Sequence, residues 1–225
     1  MSQWRGFSVV PMTTPTPPRT ARTTRTARLA VASALALGVG GGLMACTPGP
    51  VAKAPDVRVQ NAATARAEAV VGPLRASEPT RLVIPSAKVD ASPVLRLGVD
   101  SDQELQVPPV DRAEQAGWYT GSVTPGEKGA SVLVAHYDTA NGPALMRNVK
   151  GMKVGDVIEV GRADGSTAVF RIRETQQVEK KDFPTHKVYG KTDRPELRLI
   201  TCGGPIVDGH RSANIIFYAD LVQAR

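Results

Sequence analysis

The chain has 225 residues and a formal net charge of +7, and 41% of its residues are hydrophobic, which is enough for a folded core. Two cysteines and three histidines exclude a disulfide scaffold, a four-cysteine zinc site and a histidine-rich metal centre. Residues 1–80 contain nine Lys and Arg against three Asp and Glu, whereas residues 81–225 contain 19 and 18, which argues against a nucleic-acid-binding core.

The N-terminal part of the sequence is typical of an exported protein. Residues 1–28 form a basic arm with five arginines, and residues 29–46 (LAVASALALGVGGGLMAC) carry no charge. A basic stretch before an apolar run predicts a signal peptide or signal anchor, with the arm in the cytoplasm and the rest of the chain outside the cell. Residues 43–46 (LMAC) also resemble a bacterial lipobox, in which Cys46 would be lipidated. A retained membrane anchor, a lipid anchor and simple secretion all stay open.

The remainder of the chain divides into a linker and one domain. Residues 47–80 are rich in Ala and Pro and predict a linker. Residues 81–225 alternate short β-rich runs with turns, which predicts a mainly β domain that forms a closed or nearly closed barrel. One or two short helices are expected, one of them over residues 143–149 with Gly151 as its stop. The β-rich runs are RLVIP, PVLRLGV, ELQVP, SVLVAHY, DVIEVGR, TAVFRIRETQQVE, LRLITC and NIIFYADLV, with a hairpin turn at Asp164-Gly165.

Cys202 is the only cysteine of the predicted domain, and it ends an apolar strand run just before Gly203 and Gly204. This position predicts a thiol at the rim of the barrel, where the glycines leave room for a substrate backbone to approach. A buried and inert cysteine is the alternative interpretation. A free thiol in an exported protein favours a nucleophile, which needs a neighbouring group to activate it.

Histidines and arginines are the candidates for that neighbouring group. His136 ends another β run and therefore occupies an equivalent rim position, although a structural role in a turn or core stays open. His210 is the second candidate imidazole, and His186 lies in a polar loop. Arg211 begins the last strand run, and if the last two strands are neighbours its permanent charge would stabilise an oxyanion near the thiol. A surface arginine is the alternative.

These residues lie in motifs of a known family. Residues 199–202 (LITC) are similar to the TLxTC signature of sortases, and residues 135–139 (AHYDT) resemble their G-H-x-D-T histidine motif, with alanine in place of the glycine. The resemblance covers residues 80–222 and includes RLVIP, GWY, PGEKG, VGD, DFPT, VYG and NIIFYA in order. The GWY, PGE, DFPT and TCGG segments are most similar to the class F or class E sortases of high-GC Gram-positive bacteria.

The resemblance implies a sortase-like eight-stranded β-barrel, preceded here by the N-terminal membrane or signal segment. It implies a cysteine transpeptidase that cleaves an LPxTG-like C-terminal sorting signal between Thr and Gly and passes the thioester to an amine acceptor such as a peptidoglycan precursor. By motif, Cys202 is the nucleophile, His136 the general acid and base, and Arg211 the substrate- and oxyanion-binding arginine. Thr201 would assist the oxyanion through its hydroxyl or nearby backbone. No metal or organic cofactor is expected.

Two other functions stay open from the sequence. The domain would bind wall peptides without catalysis if it were a surface lipoprotein with a buried Cys202. It would mainly hydrolyse sorting signals if it were a cysteine peptidase of the same fold. All three functions place the domain outside the cell, held at the membrane by residues 29–46 or by a lipid on Cys46, with secreted proteins as partners and no nucleic acid.

Overall fold

The structure is a computed structural model that describes residues 60–61 and 71–225. The predicted basic arm, the apolar run with Cys46 and most of the predicted linker lie outside these residues. Within the described part of the chain, no helix is long and apolar enough to span a membrane.

Strands dominate the described residues. The single α-helix among them, α1, runs from Thr185–Tyr189, and short 3-10 helices occur at Pro85–Ala87, Val110–Arg112, Val149–Gly151 and Lys180–Asp182. The strands are β1 Gln60–Asn61, β2 Pro79–Ile84, β3 Val89–Ala91, β4 Leu95–Leu97, β5 Ala116–Tyr119, β6 Gly129–Ala135, β7 Asp138–Thr139, β8 Gly142–Pro143, β9 Val157–Arg162, β10 Thr167–Glu179, β11 Pro195–Val207 and β12 His210–Ala224.

Ten strands form one sheet that curls into a half-barrel. Their order is β3-β2-β9-β10-β12-β11-β6-β5-β4, and β1 pairs with β10 outside this path. Most neighbours are antiparallel, but β6 runs parallel to β11 and β4 runs parallel to β5. Strands β7 and β8 form a separate hairpin. The mainly β prediction is confirmed, whereas the sheet has ten strands instead of the expected eight.

The sheet is buried on both faces where β6, β11 and β12 lie side by side. Because successive side chains of a strand alternate between faces, Leu197 and Leu199 of β11 pack into one apolar cluster, and Ile200 and Cys202 pack into another. Burial of each large side chain contributes about 1.5–3 kcal/mol. Val188 of α1 belongs to the second cluster, so the helix covers the face on which Cys202 lies.

The run ELQVP, predicted as a strand, contributes only an isolated bridge between Val99 and Leu105. Its continuation, Pro108-Pro109, has no backbone N–H to offer to a sheet. The segments GWY and VDA, which were not predicted as strands, form β5 and β3. The Asp164-Gly165 turn joins β9 to β10 as predicted.

The helix predicted over residues 143–149 is absent. The segment instead forms turns followed by the 3-10 helix Val149–Gly151, and Gly151 lies inside that helix. The reason is tertiary: the N–H of Leu145 donates to the carbonyl of Ala113, and the N–H of Met146 donates to the carbonyl of His136. Leu145 and Met146 are nevertheless buried, as expected from their apolar character.

The folded domain begins before Arg81. Strand β2 starts at Pro79, and the N–H of Leu74 donates to the carbonyl of Gly126 over 2.8 Å while its side chain packs against the core. Gln60 pairs with Thr175 of β10. Residues before Arg81 therefore pack against the sheet, and the linker boundary at residue 80 stays a prediction.

Candidate active site

The sheet brings Cys202 and His136 together. In the parallel pair of β6 and β11, Ile200 lies opposite Val134. Cys202 and His136 each follow this pair by two residues, so both lie at the same end of two neighbouring strands. The fold therefore places the two candidate catalytic residues in the same region, although they are separated by 66 positions in the chain.

The sequence predicts that Cys202 ends its strand, but in the structure it does not. Strand β11 continues through Gly203 to Val207, with an irregularity in its pairing with β12 between Gly203 and Ile206. The neighbouring strand β6, however, ends at Ala135, directly before His136. The rim position thus results from the end of β6 and not from the end of β11.

Both side chains are buried and electrically neutral in this state. Cys202 is 5% exposed, and burial raises the pKa of its thiol to about 12, with Asp138 acting in the same direction and Lys180 and Arg211 acting against it. His136 is 3% exposed, and burial lowers the pKa of its imidazole, partly opposed by the carbonyl of Pro108 and by Asp138. The resting pair is a thiol and a neutral imidazole.

Arg211 connects the two segments that carry Cys202 and His136. Its Nε donates to Oδ2 of Asp138 at 3.1 Å, its Nη2 donates to the same oxygen at 2.5 Å, and its Nη1 donates to the carbonyl of Gly204 at 3.0 Å. The guanidinium also lies 5.0 Å above the ring of Tyr137. Because a guanidinium has five N–H donors, two stay available beyond these partners among the described residues.

Thr201 is fully buried between Ile200 and Cys202. Strand alternation puts its side chain on the opposite face from that of Cys202. Its hydroxyl makes no hydrogen bond within residues 71–225. The part assigned to Thr201 in stabilising an oxyanion stays a prediction.

The space that the missing side chains of the two glycines after Cys202 would occupy is filled by residues of β12. A Cβ on Gly203 would lie 2.7 Å from the side chain of Ile215, and a Cβ on Gly204 would lie 2.7 Å from Oγ of Ser212. Gly204 also has a φ of 74°, in the left-handed region. The expectation of space for a substrate backbone is therefore wrong, because β12 fills that space.

The other two histidines lie away from this register. His186 is exposed on α1, and His210 is exposed at the start of β12, where it pairs with Val207. Of the three histidines, His136 is the one that directly follows the strand paired with β11.

Two groups at the site were not assigned a role from the sequence. Asp138 lies inside the AHYDT motif, and a carboxylate two residues from the candidate histidine could have been paired with Arg211. Pro108 contributes a backbone carbonyl from 28 residues away. No local sequence pattern predicts such a contact, because it depends on how the loop before β5 folds back onto His136.

Two cavities lie near the strands that carry the candidate residues. One of about 340 Å³ is bounded by the ion pair, and another of about 610 Å³ lies at the beginning of β6, away from Cys202. The smaller cavity is lined by Arg211 and Asp138 but not by Cys202 or His136. Its lining residues are Tyr137, Asp138, Thr139, Gly142, Pro143, Arg147, Asn148 and Arg211.

Comparison of the sequence with known families shows which family the chain belongs to. A family model, the Sortase domain, matches residues 82–222, which is more than half of the chain. The chain therefore belongs to the sortase family, whose members are cysteine transpeptidases associated with the cell surface. No curated protein matches the sequence.

Solved sortase structures share the fold. The lid mutant of sortase A from Corynebacterium diphtheriae is 21% identical, covers 67% of this chain and 73% of its own, and has a TM-score of 0.50. Sortase C-1 from Actinomyces oris is 23% identical over 65% of this chain and 74% of its own, with a TM-score of 0.49. Sortase C from Streptococcus pneumoniae is 20% identical, with a TM-score of 0.46, and the match covers 64% of this chain. It covers 65% of the Streptococcus pneumoniae chain, which is less than two thirds of the length of that protein.

Proposed function

We propose that this sortase is a cysteine transpeptidase that cleaves an LPxTG-like sorting signal between Thr and Gly and transfers the new carboxyl end to an amine of the cell wall. The observation that supports the proposal is the parallel register of β6 and β11, which ends two residues before both Cys202 and His136. Arg211 binds the carboxylate of Asp138 and the carbonyl of Gly204, and each of these partners lies two residues after one of the candidates. These residues offer three chemically distinct groups: a nucleophile, a base and a charged donor.

The first half of the reaction forms a thioester. The thiol proton of Cys202 passes to His136, and the sulfur forms a bond to the Thr carbonyl carbon while the carbonyl electrons move onto oxygen. The two remaining N–H donors of Arg211 stabilise that oxyanion. When the oxyanion collapses, the C–N bond breaks, and the imidazolium gives its proton to the departing glycine amine.

The second half regenerates the enzyme. An acceptor amine attacks the thioester carbonyl, His136 takes the proton of that amine, and the C–S bond breaks to release a new amide and the thiolate. The imidazolium then returns its proton to the sulfur. Water competes with the amine, so slow hydrolysis is expected when no amine is present.

The substrate must enter a site that is closed in this structure. Because thiol and imidazole are buried and neutral, peptide binding has to open a path to Cys202 and replace the apolar cover provided by α1. The thiolate therefore forms only when a substrate is in place, which limits its reaction with other electrophiles.

The GWY, DFPT and TCGG segments support class F or class E within the family. Residues 29–46 support retention at the membrane, either as an anchor or through lipidation of Cys46, with the domain outside the cell. The expected partners are secreted proteins with sorting signals and an amine such as a peptidoglycan precursor.

Incubation of the full chain with an LPxTG peptide and a glycine amine, followed by mass spectrometry, tests the proposal. We expect a ligated peptide and a thioester on Cys202, and we expect both to be absent with Cys202→Ala. Cys46→Ser is the matched control and keeps full activity. Cleavage that ignores the amine would instead identify a hydrolase.

The burial of Cys202 also favours a second function, the binding of wall peptides without catalysis. In that case the Cys202→Ala chain binds the same peptide as the wild type, and no thioester forms with any sorting signal. Peptide binding measured by calorimetry for both chains, beside the ligation assay, separates the two functions.

A further inference from the structure

The imidazole of His136 is held by a backbone group. Its Nε2 lies 2.7 Å from the carbonyl oxygen of Pro108, and both residues are buried. A carbonyl oxygen can only accept a hydrogen bond, so Nε2 must carry the hydrogen. A neutral imidazole has one N–H, which leaves the lone pair on Nδ1.

We propose that the carbonyl of Pro108 is the positioning group of this site: it fixes His136 as the Nε2–H tautomer and makes Nδ1 the nitrogen that exchanges protons with Cys202 and with the amines. The catalytic part of this inference rests on the proposed function. The tautomer itself does not, because it follows from one hydrogen bond.

The carbonyl is held in place by the covalent geometry of its own segment. Pro108 and Pro109 each have φ fixed by the ring, and a residue that precedes proline is excluded from the helical region. Pro109 has φ −56° and ψ 150°, an extended polyproline-type conformation. The direction of the Pro108 carbonyl is therefore set by two stiff residues.

Hydrogen bonds lie on both sides of this segment: one pair joins it to Gly98, directly after β4, and another closes the turn that follows it. The N–H of Gln106 donates to the carbonyl of Gly98, and the side-chain oxygen of Gln106 accepts from the N–H of Gly98. After the prolines, the N–H of Arg112 donates to the carbonyl of Pro109. The loop is thus closed on both sides of the group that holds His136.

A carbonyl suits this position because it orients without adding charge. It accepts the Nε2 hydrogen whether the ring is neutral or protonated, so the contact survives the proton transfers at Nδ1. A carboxylate in the same place would favour the charged imidazolium before substrate arrives. The uncharged partner is consistent with a resting pair of thiol and neutral imidazole.

Nuclear magnetic resonance of the ¹⁵N-labelled full chain tests the tautomer directly, because there are only three histidines. Long-range ¹H–¹⁵N correlations distinguish the protonated from the unprotonated ring nitrogen. We expect His136 to be the Nε2–H form alone, and exposed His186 and His210 serve as internal references that exchange between forms. An Nδ1–H form of His136, or the same mixture as the two references, would overturn the proposal.

Loosening the segment tests its effect on catalysis. In the Pro108→Gly/Pro109→Gly chain we expect both tautomers of His136 and a kcat about tenfold lower, with KM changed less than about twofold. Asp102→Gly loosens the exposed tip of the same loop and should alter neither the tautomer nor kcat. A single unchanged tautomer in the double variant would overturn the role of the prolines. Wild-type chain that shows the expected tautomer but no ligation counts against the proposed function alone.

Discussion

The carboxylate of Asp138 holds the guanidinium of Arg211 through two N–H donors, with the shorter contact at 2.5 Å. Asp138 follows His136 by two residues, and Arg211 also binds the carbonyl of Gly204, two residues after Cys202. The ion pair therefore ties the histidine segment to the cysteine strand. The same carboxylate raises the pKa of the Cys202 thiol, so it affects both position and charge at the site.

The Asp138→Asn variant should separate these two effects. Without the carboxylate, Arg211 loses its fixed position, and we expect kcat/KM for ligation to fall about tenfold, equivalent to about 1.4 kcal/mol of transition-state stabilisation. Removal of the negative charge lowers the thiol pKa, so alkylation of Cys202 at fixed pH should become faster. Peptide ligation and iodoacetamide labelling measure the two rates.

Asp90→Asn is the matched control for this variant. Asp90 binds the guanidinium of Arg81 in the same two-donor manner, but the pair is exposed and lies on β3 and β2. Both rates should stay at wild-type values. Slower ligation combined with slower alkylation in Asp138→Asn would contradict the electrostatic part of the argument.

The pH dependence of alkylation reports the resting state of Cys202. Burial raises the pKa of this thiol to about 12, so only a small thiolate fraction exists at neutral pH. Because a thiol below its pKa gains about tenfold in thiolate for each pH unit, the labelling rate in a Cys46→Ser chain should rise through pH 10 without a plateau.

An unperturbed thiol with a pKa of about 8.5, for comparison, is half ionised at that pH and approaches its plateau at about pH 10, so free cysteine is the reference. Iodoacetamide, which is uncharged, followed by mass spectrometry gives the rate at each pH. A plateau for Cys202 between about pH 6 and 8 would mean that a thiolate is already formed beside His136, against the neutral pair described above.

Substitution of Gly204 should destabilise the domain for two separable reasons. Its φ of 74° is unfavourable for other residues, and a Cβ there would lie 2.9 Å from Cβ of Ala213 and 2.7 Å from Oγ of Ser212. We expect Gly204→Ala to lower the free energy of unfolding by about 3 kcal/mol, the sum of backbone strain and steric overlap. Urea denaturation at pH 7 measures the loss.

Gly209 provides the control in the same hairpin. It has a similar φ of 79°, but a Cβ on it meets no atom within 4 Å. Gly209→Ala should therefore cost only the backbone part, about 1 kcal/mol. Equal losses in the free energy of unfolding would show that β12 shifts to accommodate the extra Cβ. Glycine would then be required at position 204 only because of its positive φ.

The sequence predicts those parts of the fold and site that depend on local pattern. Cys202 and His136 were both expected at strand ends on one rim, because each closes an apolar run. Asp138 was visible within a motif but had no role until Arg211 was seen to reach it. Pro108 could not be predicted, because its contact with His136 depends on the path of a loop without regular structure.

The same limit explains the errors in the elements. The N–H groups of residues 145 and 146 bond to distant carbonyls, and no composition rule for helices includes such partners. Space beside Gly203 was expected from its missing side chain, whereas the sheet fills it with Ile215 from the next strand. In both cases, tertiary packing overrides a local expectation that is physically reasonable.

Breaking the buried charge network next to α1 should destabilise the domain. The carboxylate of Glu196 binds Arg198 at 2.6 Å and Arg173 at 2.7 Å, and the side chains of Glu196 and Arg198 are 5% and 2% exposed. Burial alone would raise the pKa of Glu196, but the two arginines outweigh it and hold that pKa below its usual value. Arg198 also donates to the carbonyl of Lys187 in α1, so the network supports the cover of the site.

Glu196→Gln leaves the buried Arg198 without its counter-charge, and we expect the free energy of unfolding at pH 7 to fall by about 3 kcal/mol. Glu159→Gln, which breaks an ion pair with the exposed Arg225, should cost less than about 1 kcal/mol. Since the folded-state pKa of Glu196 is depressed, its contribution is complete above the unfolded value of about 4.3 and is lost as pH falls through the folded value. The gap between wild type and Glu196→Gln in urea denaturation should therefore close in acid. A gap that persists at the lowest pH would show that the loss comes from packing and not from charge.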